Sequence, residues 1–462
     1  MRLYPYFSQH LLYPLYERVA GRHFLDKLAF LERSQWWDRE TLREYQWQKI
    51  KALLHHAYNN NSFYRQRFKE FDIHPDRIKD FADLAQLPIL TKDDIVKSSP
   101  NLISDGYNQK DLVRDKTSGS TGRNLIFYTD RNTLDWMTAA VLRNMAWYNV
   151  SFGDKRIKLW GSLVNDSALE RVYMSLRNFF LREYLVSSYE LDTKRLASMV
   201  SHLRHDRPKA LIGYVSALEI LAQFIEKHGI KDIKVPAVVP AAETLFENQR
   251  QLFQRAFHGE IFNRYGCHEF TAIAHECSHH AGMHINSENV YLEVLKDGQP
   301  AAPGETGEIV VTDLENFGVP FIRYRMEDLG VLKEGCCPCG RGLPVLEAVE
   351  GRVYDLISCP NGTIHTGTFF CKLTRSIEGI DQFQVIQESK EKIRLKLVTG
   401  REFRPDSVSF LRDKIKIHCG EEMDVALEVV DHIEALKSGK RRYVVSLQSI
   451  EKNALHASTV SA

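Results

Sequence analysis

The hydrophobic period of this chain changes near residue 356. Beyond that point Ile393, Leu395 and Leu397 alternate with charged residues, and Val425, Leu427 and Val429 alternate likewise. Alternation of period two marks a half-buried strand. Between these runs Val408, Leu411 and Ile415 keep helical spacing. The end of the chain therefore reads as a small α+β domain of roughly a hundred residues. A chain of 462 residues exceeds what one core usually holds. The expected fold class is α/β: a large N-terminal domain of mixed sheets and helices over 1–353, and a small α+β C-terminal domain over 354–462.

Within the larger part, residues 1–100 read as mostly helical, and 105–350 alternate short strands with helices. A long helical segment opens at Thr41-Leu42-Arg43-Glu44, carries Leu42, Trp47, Ile50, Leu54 and Tyr58, and meets the polar run Asn59-Asn60-Asn61. Ser216-x-x-Glu219 predicts a capping box, since the Ser oxygen and the Glu carboxylate can each satisfy an orphan amide. Leu218, Leu221, Ala222 and Ile225 then share a face, and Lys227-His228-Gly229 marks the stop. Residues from about Ser446 onward read as a frayed end.

Composition is that of an ordinary globular protein, with 44% hydrophobic and 26% charged residues and a formal net charge of +1. That balance gives no argument for a nucleic-acid partner. The start, MRLYPYFSQHLLYPLYERVAG, lacks an apolar core followed by a small-residue cleavage site. Its apolar face is interrupted by His10, Glu17 and Arg18, so it predicts a helix covering the protein's own core. The longest apolar window, Leu211–Ile225, contains Glu219 and is too short to span a bilayer. The expectation is a soluble cytoplasmic protein with no transmembrane segment; composition says nothing of its oligomeric state.

All eight cysteines lie between Cys267 and Cys419. In a cytosolic chain such clustering points to metal binding or reactive thiols. Among them runs His275-Glu276-Cys277-Ser278-His279-His280-Ala281-Gly282-Met283-His284, which contains the H-E-x-x-H pattern of zinc proteases. A zincin needs both histidines on one helical face. Here Cys277, Ser278 and Gly282 interrupt, and Met283-His284-Ile285 reads as extended. The longer protease pattern wants its third His at position 285, which is Ile285. The match is read as chance.

A second stretch, Thr117-Ser118-Gly119-Ser120-Thr121-Gly122, has the chemistry of a polyphosphate cradle. Glycine permits close backbone approach, successive amides form an anion nest, and hydroxyls add donors. It lacks the Walker order. It resembles the phosphate loop of the adenylate-forming superfamily, and the chain as a whole resembles the phenylacetate–CoA ligase-like branch, including its CapK-like members. Ala241-Ala242-Glu243 resembles that branch's adenine-side strand end, and Tyr265-Gly266-Cys267-His268-Glu269 its Y-G-x-x-E motif. Phe321-Ile322-Arg323-Tyr324-Arg325-Met326-Glu327-Asp328 resembles R-Y-R-x-x-D, and Gly351-Arg352-Val353-Tyr354-Asp355 the hinge motif. Gly439-Lys440-Arg441 stands where the family carries its catalytic Lys. The order agrees from about residue 40 to 445. The chain departs in Arg123-Asn124, where relatives commonly have a Pro second, and in Tyr354, where a polar residue is usual.

The resemblance implies an ATP- and Mg²⁺-dependent ligase that activates a small carboxylic acid as an acyl-AMP and passes it to CoA. It implies that Thr117, Ser118, Gly119, Ser120, Thr121 and Gly122 hold the β- and γ-phosphates, and that Glu269 coordinates Mg²⁺. Ala242, Glu243, Tyr265 and Gly266 would lie at the adenine, with Tyr265 stacking on it; Asp328 and Arg352 would lie at the ribose. Lys440 would bridge the carboxylate and α-phosphate oxygens, while a C-terminal domain pivots near Asp355. The branch also carries a Cys and a His after Y-G-x-x-E and a later C-x-C-G. Here these are Cys277, His284, Cys337 and Cys339, a donor set suited to closed, structural Zn²⁺. Cys336, His279 and His280 stay open as alternative ligands. Tyr214 and the Trp160-Gly161 neighbourhood are candidates for the acid pocket. CapK-like resemblance keeps a sugar or amine acceptor in surface-polysaccharide biosynthesis open. A catalytically silent, zinc-bound interaction protein is the reading from another class.

Overall fold

The structure is a computed structural model that describes residues 3–116, 125–160, 178–180, 182–188, 191–352, 357–365, 369–370, 373–374, 377, 379–404, 406–434 and 442–446. Strands β1 (Val113–Lys116) and β2 (Ile126–Thr129) form an antiparallel pair in which Lys116 faces Ile126. The expected phosphate loop, Thr117 to Gly122, runs between them and lies outside the described residues.

A five-stranded parallel sheet follows. Its strands are β3 (Arg156–Trp160), β4 (Glu183–Ser187), β5 (Ala210–Tyr214), β6 (Ala237–Ala241) and β7 (Glu260–Ile261), in the order β4-β3-β5-β6-β7. Every residue of β5 and β6 is buried. Such unbroken runs arise because parallel strands are covered on both faces. On one face lie helices Thr193–Asp206, Val215–Lys227 and Glu247–Phe257, contributing Leu203, Leu221 and Phe253. On the other lie Met145, Tyr148 and Val150.

The larger sheet is antiparallel throughout. It comprises β8 (Arg264–Tyr265), β9 (Ala274–Glu276), β10 (Met283–Ile285), β11 (Val290–Lys296), β12 (Gln299–Pro300), β13 (Thr306–Asp313), β14 (Tyr324–Leu332) and β15 (Val345–Arg352). The order is β12-β11-β13-β14-β15-β10-β9-β8. Ile50, Leu53 and Leu54 of helix Arg39–Asn60 join its core with Val294, Ile309 and Val311.

The start expected to cover the core touches it through Tyr13, which joins Phe24, Leu28 and Leu31 of helix Phe24–Ser34 against Ala139 and Ala140 of helix Arg131–Trp147. Residues 3–20 are also helical, but there Tyr6, Phe7, Leu11, Leu15 and Val19 face solvent. Beneath Phe24–Ser34, the buried Arg143 donates to Glu288 at 2.6 Å, Asn286 at 2.8 Å and the Leu31 carbonyl at 3.1 Å. Ser34 Oγ donates to the same carboxylate at 2.6 Å. These bonds offset much of the desolvation cost of the buried ion pair, although Arg143 Nε has no hydrogen-bond partner among the described residues.

Two short hairpin strands, β16 (Ile357–Ser358) and β17 (Ile364–His365), open the C-terminal part. Strands β18 (Ile380–Ser389), β19 (Lys392–Thr399), β20 (Asp424–Val429) and β21 (Val444–Val445) then form a sheet in the order β20-β19-β18-β21. Helix Asp406–Cys419 packs on it through Leu411, Ile415 and Cys419. The alternation in β19 places Ile393, Leu395 and Leu397 in the core. In β20 only Val425 is buried, while Val429 at the strand end is exposed.

The capping box expected at Ser216 does not form. Helix Val215–Lys227 begins two residues earlier, with Tyr214 at its N-cap and no side-chain cap bond. Ser216 instead donates its backbone amide (2.7 Å) and hydroxyl (3.0 Å) to Glu243. Glu219 accepts from Gln249 Nε2 at 3.0 Å and from Tyr443 at 3.2 Å. A carboxylate from the neighbouring strand end outcompetes one from the same helical turn because it satisfies two donors at once.

Candidate active site

The parallel strands β3, β5 and β6 end side by side at Trp160, Tyr214 and Ala241. In open α/β sheets ligands bind beyond such carboxyl ends. Trp160 and Tyr214 lie with ring centroids 4.5 Å apart. Just past β6, Ala242 takes φ +65°. A left-handed conformation without glycine costs free energy and persists only where surrounding contacts enforce it. Glu243 supplies one such contact, gripping the first turn of helix Val215–Lys227. A carboxylate is favoured there by the positive end of the helix.

Tyr265 ends β8, and its hydroxyl donates to Asp328 Oδ2 at 2.8 Å. Asp328 lies in β14 directly opposite Arg352 of β15. The sheet register thus brings together three residues that are far apart in sequence and expected at one nucleoside. Gly266 is fixed by space: a Cβ there would lie 2.2 Å from the Thr271 carbonyl oxygen. Glu269 is 6% exposed and accepts from Tyr324 at 3.1 Å. Burial first, and then the Glu269 charge, push the Tyr324 hydroxyl far above its usual range, so it remains a donor. Tyr324 as partner of Glu269 is a contact the sequence reading missed; its only signal was its place inside R-Y-R-x-x-D.

The first arginine of that motif is structural. Arg323 donates to both oxygens of Glu293 at 3.1 Å and to the Ala85 and Leu87 carbonyls at 3.1 and 2.6 Å. It ties β14 to the loops leaving the N-terminal helices. Glu327 accepts from Lys92 at 2.8 Å. Lys440, Gly161 and Val353 to Asp355 lie outside the described residues, and for Arg352 only the backbone is described.

The H-E-x-x-H stretch forms no helix. It is a β9–β10 hairpin in which His275 faces His284 across the strands. His275 stacks on Tyr148 at 5.2 Å, and burial lowers its pKa to about 4. Glu276 is held by Arg250 at 2.7 Å and His280 at 3.3 Å. None of this resembles a zincin site.

The same hairpin gathers thiols. The donor atoms of Cys277, His284, Cys337 and Cys339 all lie within 4.8 Å of one another. Cys277 Sγ is 3.7 Å from Cys337 Sγ, and Cys339 Sγ is 3.2 Å from His284 Nε2. Tetrahedral zinc with its usual bond lengths would set such edges at about 3.8 and about 3.5 Å. Burial lowers the His284 pKa to about 4 and so keeps the imidazole neutral, as a ligand must be. Burial pushes the Cys277 thiol up to about 12. Burial also acts to raise Cys339, but the backbone amide and side chain of Arg341 outweigh it and bring that thiol below its ordinary value. Trp37, Leu42, Trp147, Leu343 and Val345 form an apolar jacket. Gln35 accepts from Trp147 (2.8 Å) and Arg341 (2.9 Å), so the N-terminal segment closes over the cluster. The donor set fits structural zinc. Cys336 is exposed and, with His279 and His280, stands outside this group.

No helix among the described residues is long and apolar enough to cross a membrane. Residues 356–447 match the CapK C-terminal domain family. Protein CapK of Staphylococcus aureus is 23% identical over 453 residues, covering 96% of this chain and 97% of the relative. Phenylacetate-coenzyme A ligase of Pseudomonas putida is 26% identical over 337 residues, covering 71% and 74%. A 2-hydroxyisobutyryl-CoA ligase, solved in the postadenylation state with an acyl-AMP, has the same fold. Its TM-score is 0.75 at 18% identity, with 93% of this chain and 94% of that one covered. The chain is a homologue of CapK and of the phenylacetate–CoA ligases, built on the fold of the adenylate-forming CoA ligases and ending in a CapK C-terminal domain.

Proposed function

We propose that this adenylate-forming CoA ligase-like protein activates a small carboxylic acid with ATP and transfers the acyl group to CoA. The observation that carries this reading is the Tyr265–Asp328 pair opposite Arg352, next to Gly351, where a Cβ would lie 4.0 Å from Oγ1 of Thr244 just past the carboxyl end of β6. In the first half-reaction a carboxylate oxygen attacks the α-phosphorus, and the bond to pyrophosphate breaks. In the second, the CoA sulfur attacks the acyl carbon and AMP leaves.

The chain's own part is to position the reactants and to balance charge. Thr117 to Gly122, the segment that joins β1 to β2 in the sequence, would cradle the β- and γ-phosphates. Ala242, Glu243, Tyr265 and Gly266 border the adenine. Asp328 can keep the Tyr265 hydroxyl and still accept from ribose hydroxyls, because a carboxylate offers about four lone-pair sites. Arg352 stands beside it. Glu269, a hard oxygen ligand, is the residue that would hold Mg²⁺, which when bound neutralises phosphate charge. Lys440 brings a compact positive charge to the carboxylate and α-phosphate. In this reading residues 1–353 bind ATP and acid, 354–462 pivot near Asp355, and Cys277, His284, Cys337 and Cys339 hold structural zinc.

A second acceptor is favoured by one observation. The CapK relative aligns over 96% of the chain, the phenylacetate–CoA ligase over 71%. A sugar or amine of surface-polysaccharide biosynthesis could therefore take the acyl group instead of CoA.

The test is pyrophosphate release from ATP-Mg²⁺ across aryl, fatty and sugar-derived acids, with Lys440→Ala alongside. Acid-dependent release lost in the variant is expected, and CoA and amino-sugar acceptors then separate the two readings. Absence of both release and ATP binding would overturn the ligase reading in favour of a zinc-bound interaction protein.

A further inference from the structure

We propose a second metal centre in the C-terminal part of the chain, formed by Cys359, His365 and Cys419 and taking a zinc-class divalent cation. The three donor atoms lie within 4.8 Å of one another, with both cysteines buried and the histidine half-buried. They come from two elements distant in sequence. Cys359 and His365 sit on the β16–β17 hairpin, and Cys419 is the last residue of helix Asp406–Cys419.

The contacts around them hold hairpin and helix end together. The hairpin turn is closed by Cys359 N donating to the Thr363 carbonyl (2.9 Å) and Gly362 N to the Cys359 carbonyl (3.0 Å). Asn361 Nδ2 donates to the His418 carbonyl at 2.9 Å, and Thr363 Oγ1 to the same oxygen at 3.2 Å. The chain leaves the helix through Gly420 at φ +108°, where a Cβ would lie 3.3 Å from Asn361 Cβ. The His365 ring stacks on Phe369 at 4.0 Å, which fixes the imidazole plane.

Three arguments point to a cation. Two sulfurs and an imidazole are the donor set of zinc-class ions and spare one tetrahedral position for water or another ligand. The helix presents its negative end to the cluster, and this favours positive charge. A disulfide between the two cysteines would account for the sulfurs alone; His365, whose Nε2 lies 3.3 Å from both the His418 carbonyl oxygen and Thr363 Oγ1, still has a second ring nitrogen to offer a cation. The centre is separate from the Cys277–His284–Cys337–Cys339 group and shares no residue with it. Under the proposed pivot near Asp355, it would lock the first hairpin of the moving part to that part's helix.

The experiment is elemental analysis of full-length protein purified under reducing conditions, for wild type and for Cys419→Ser, His365→Ala and Cys337→Ser. Loss of one metal equivalent per chain is expected in Cys419→Ser and in His365→Ala. Cys337→Ser should lose a different equivalent, so failure of the first site does not mimic failure of the second. His365→Ala leaves both sulfurs in place, and circular dichroism checks its fold. Cobalt substitution gives a second readout: thiolate charge-transfer absorbance should fall in folded Cys419→Ser. Metal content unchanged in both Cys419→Ser and His365→Ala overturns the proposal. So does a Cys359–Cys419 disulfide in peptide maps of protein whose thiols were blocked at lysis.

Discussion

Asp313 is 3% exposed, and its carboxyl is pushed up to about 8, first by burial and then by the neighbouring Glu315 and Asp130 charges. The Glu315 amide, donating at 3.0 Å, offsets this only in part. The native state thus holds a proton that the unfolded chain releases near its ordinary carboxylate value. Stability from this group is complete at acid pH and is lost as pH rises toward about 8. Asp313→Asn removes the titration while keeping the shape. Urea unfolding should show the variant gaining over wild type by roughly 3–4 kcal/mol between pH ~5 and about 8, at about 1.4 kcal/mol per pH unit. An equal difference at both pH values would contradict the assignment. Nothing in the local sequence Thr312-Asp313-Leu314-Glu315 announces this, because Asp313 is placed by its pairing with Val290 of β11 and by its amide bond to the Phe321 carbonyl, both from segments outside this stretch.

At the scale of elements, the β8 turn shows how a motif residue can be dictated by space. Gly266 has no room for a Cβ against Thr271. Gly266→Ala must therefore move the turn that carries Tyr265 and Glu269. A stability loss of about 1–3 kcal/mol is expected, together with weaker ATP binding by calorimetry. An alanine variant with wild-type affinity would show that the turn does not shape the nucleotide site. Spacing in sequence recovered the alternation of β19 and the stop at Lys227-His228-Gly229, while the family resemblance pointed to Cys277, His284, Cys337 and Cys339, whose donor atoms lie together. It misplaced the cap at Ser216, because a capping box and a pairing with Glu243 use the same Ser donor. The choice depends on where β6 ends.

At the scale of the molecule, the C-terminal part meets the larger part through Tyr443. Its hydroxyl accepts from Gln249 Nε2 at 2.7 Å and donates to Glu219 at 3.2 Å, and its ring packs edge-on to Phe246 at 5.5 Å. Burial first, then Glu219, pushes this hydroxyl far above its usual range. Tyr443→Phe keeps the ring and removes both bonds, at a cost of about 1–3 kcal/mol for the buried partners left behind. Limited proteolysis should then release the C-terminal part faster than in wild type. An unchanged rate would mean that this contact does not hold the two parts in their observed arrangement.

The sequence by itself pointed to the family, through the phosphate loop and five further motifs whose order survives over most of the chain, and to the α/β class, through periodicity that local sterics impose. The resemblance it carries also pointed to Cys277, His284, Cys337 and Cys339, with Cys336, His279 and His280 left open beside them. Only the tertiary structure decided that H-E-x-x-H lies across a hairpin, that Arg323 braces β14, and that Tyr324 holds Glu269. It alone brought Cys359, His365 and Cys419 to one point. The physical reason is common to all of these. Period and turn chemistry act over a few residues, whereas the partner of a buried polar group is chosen by strand register and helix packing between segments far apart in the chain.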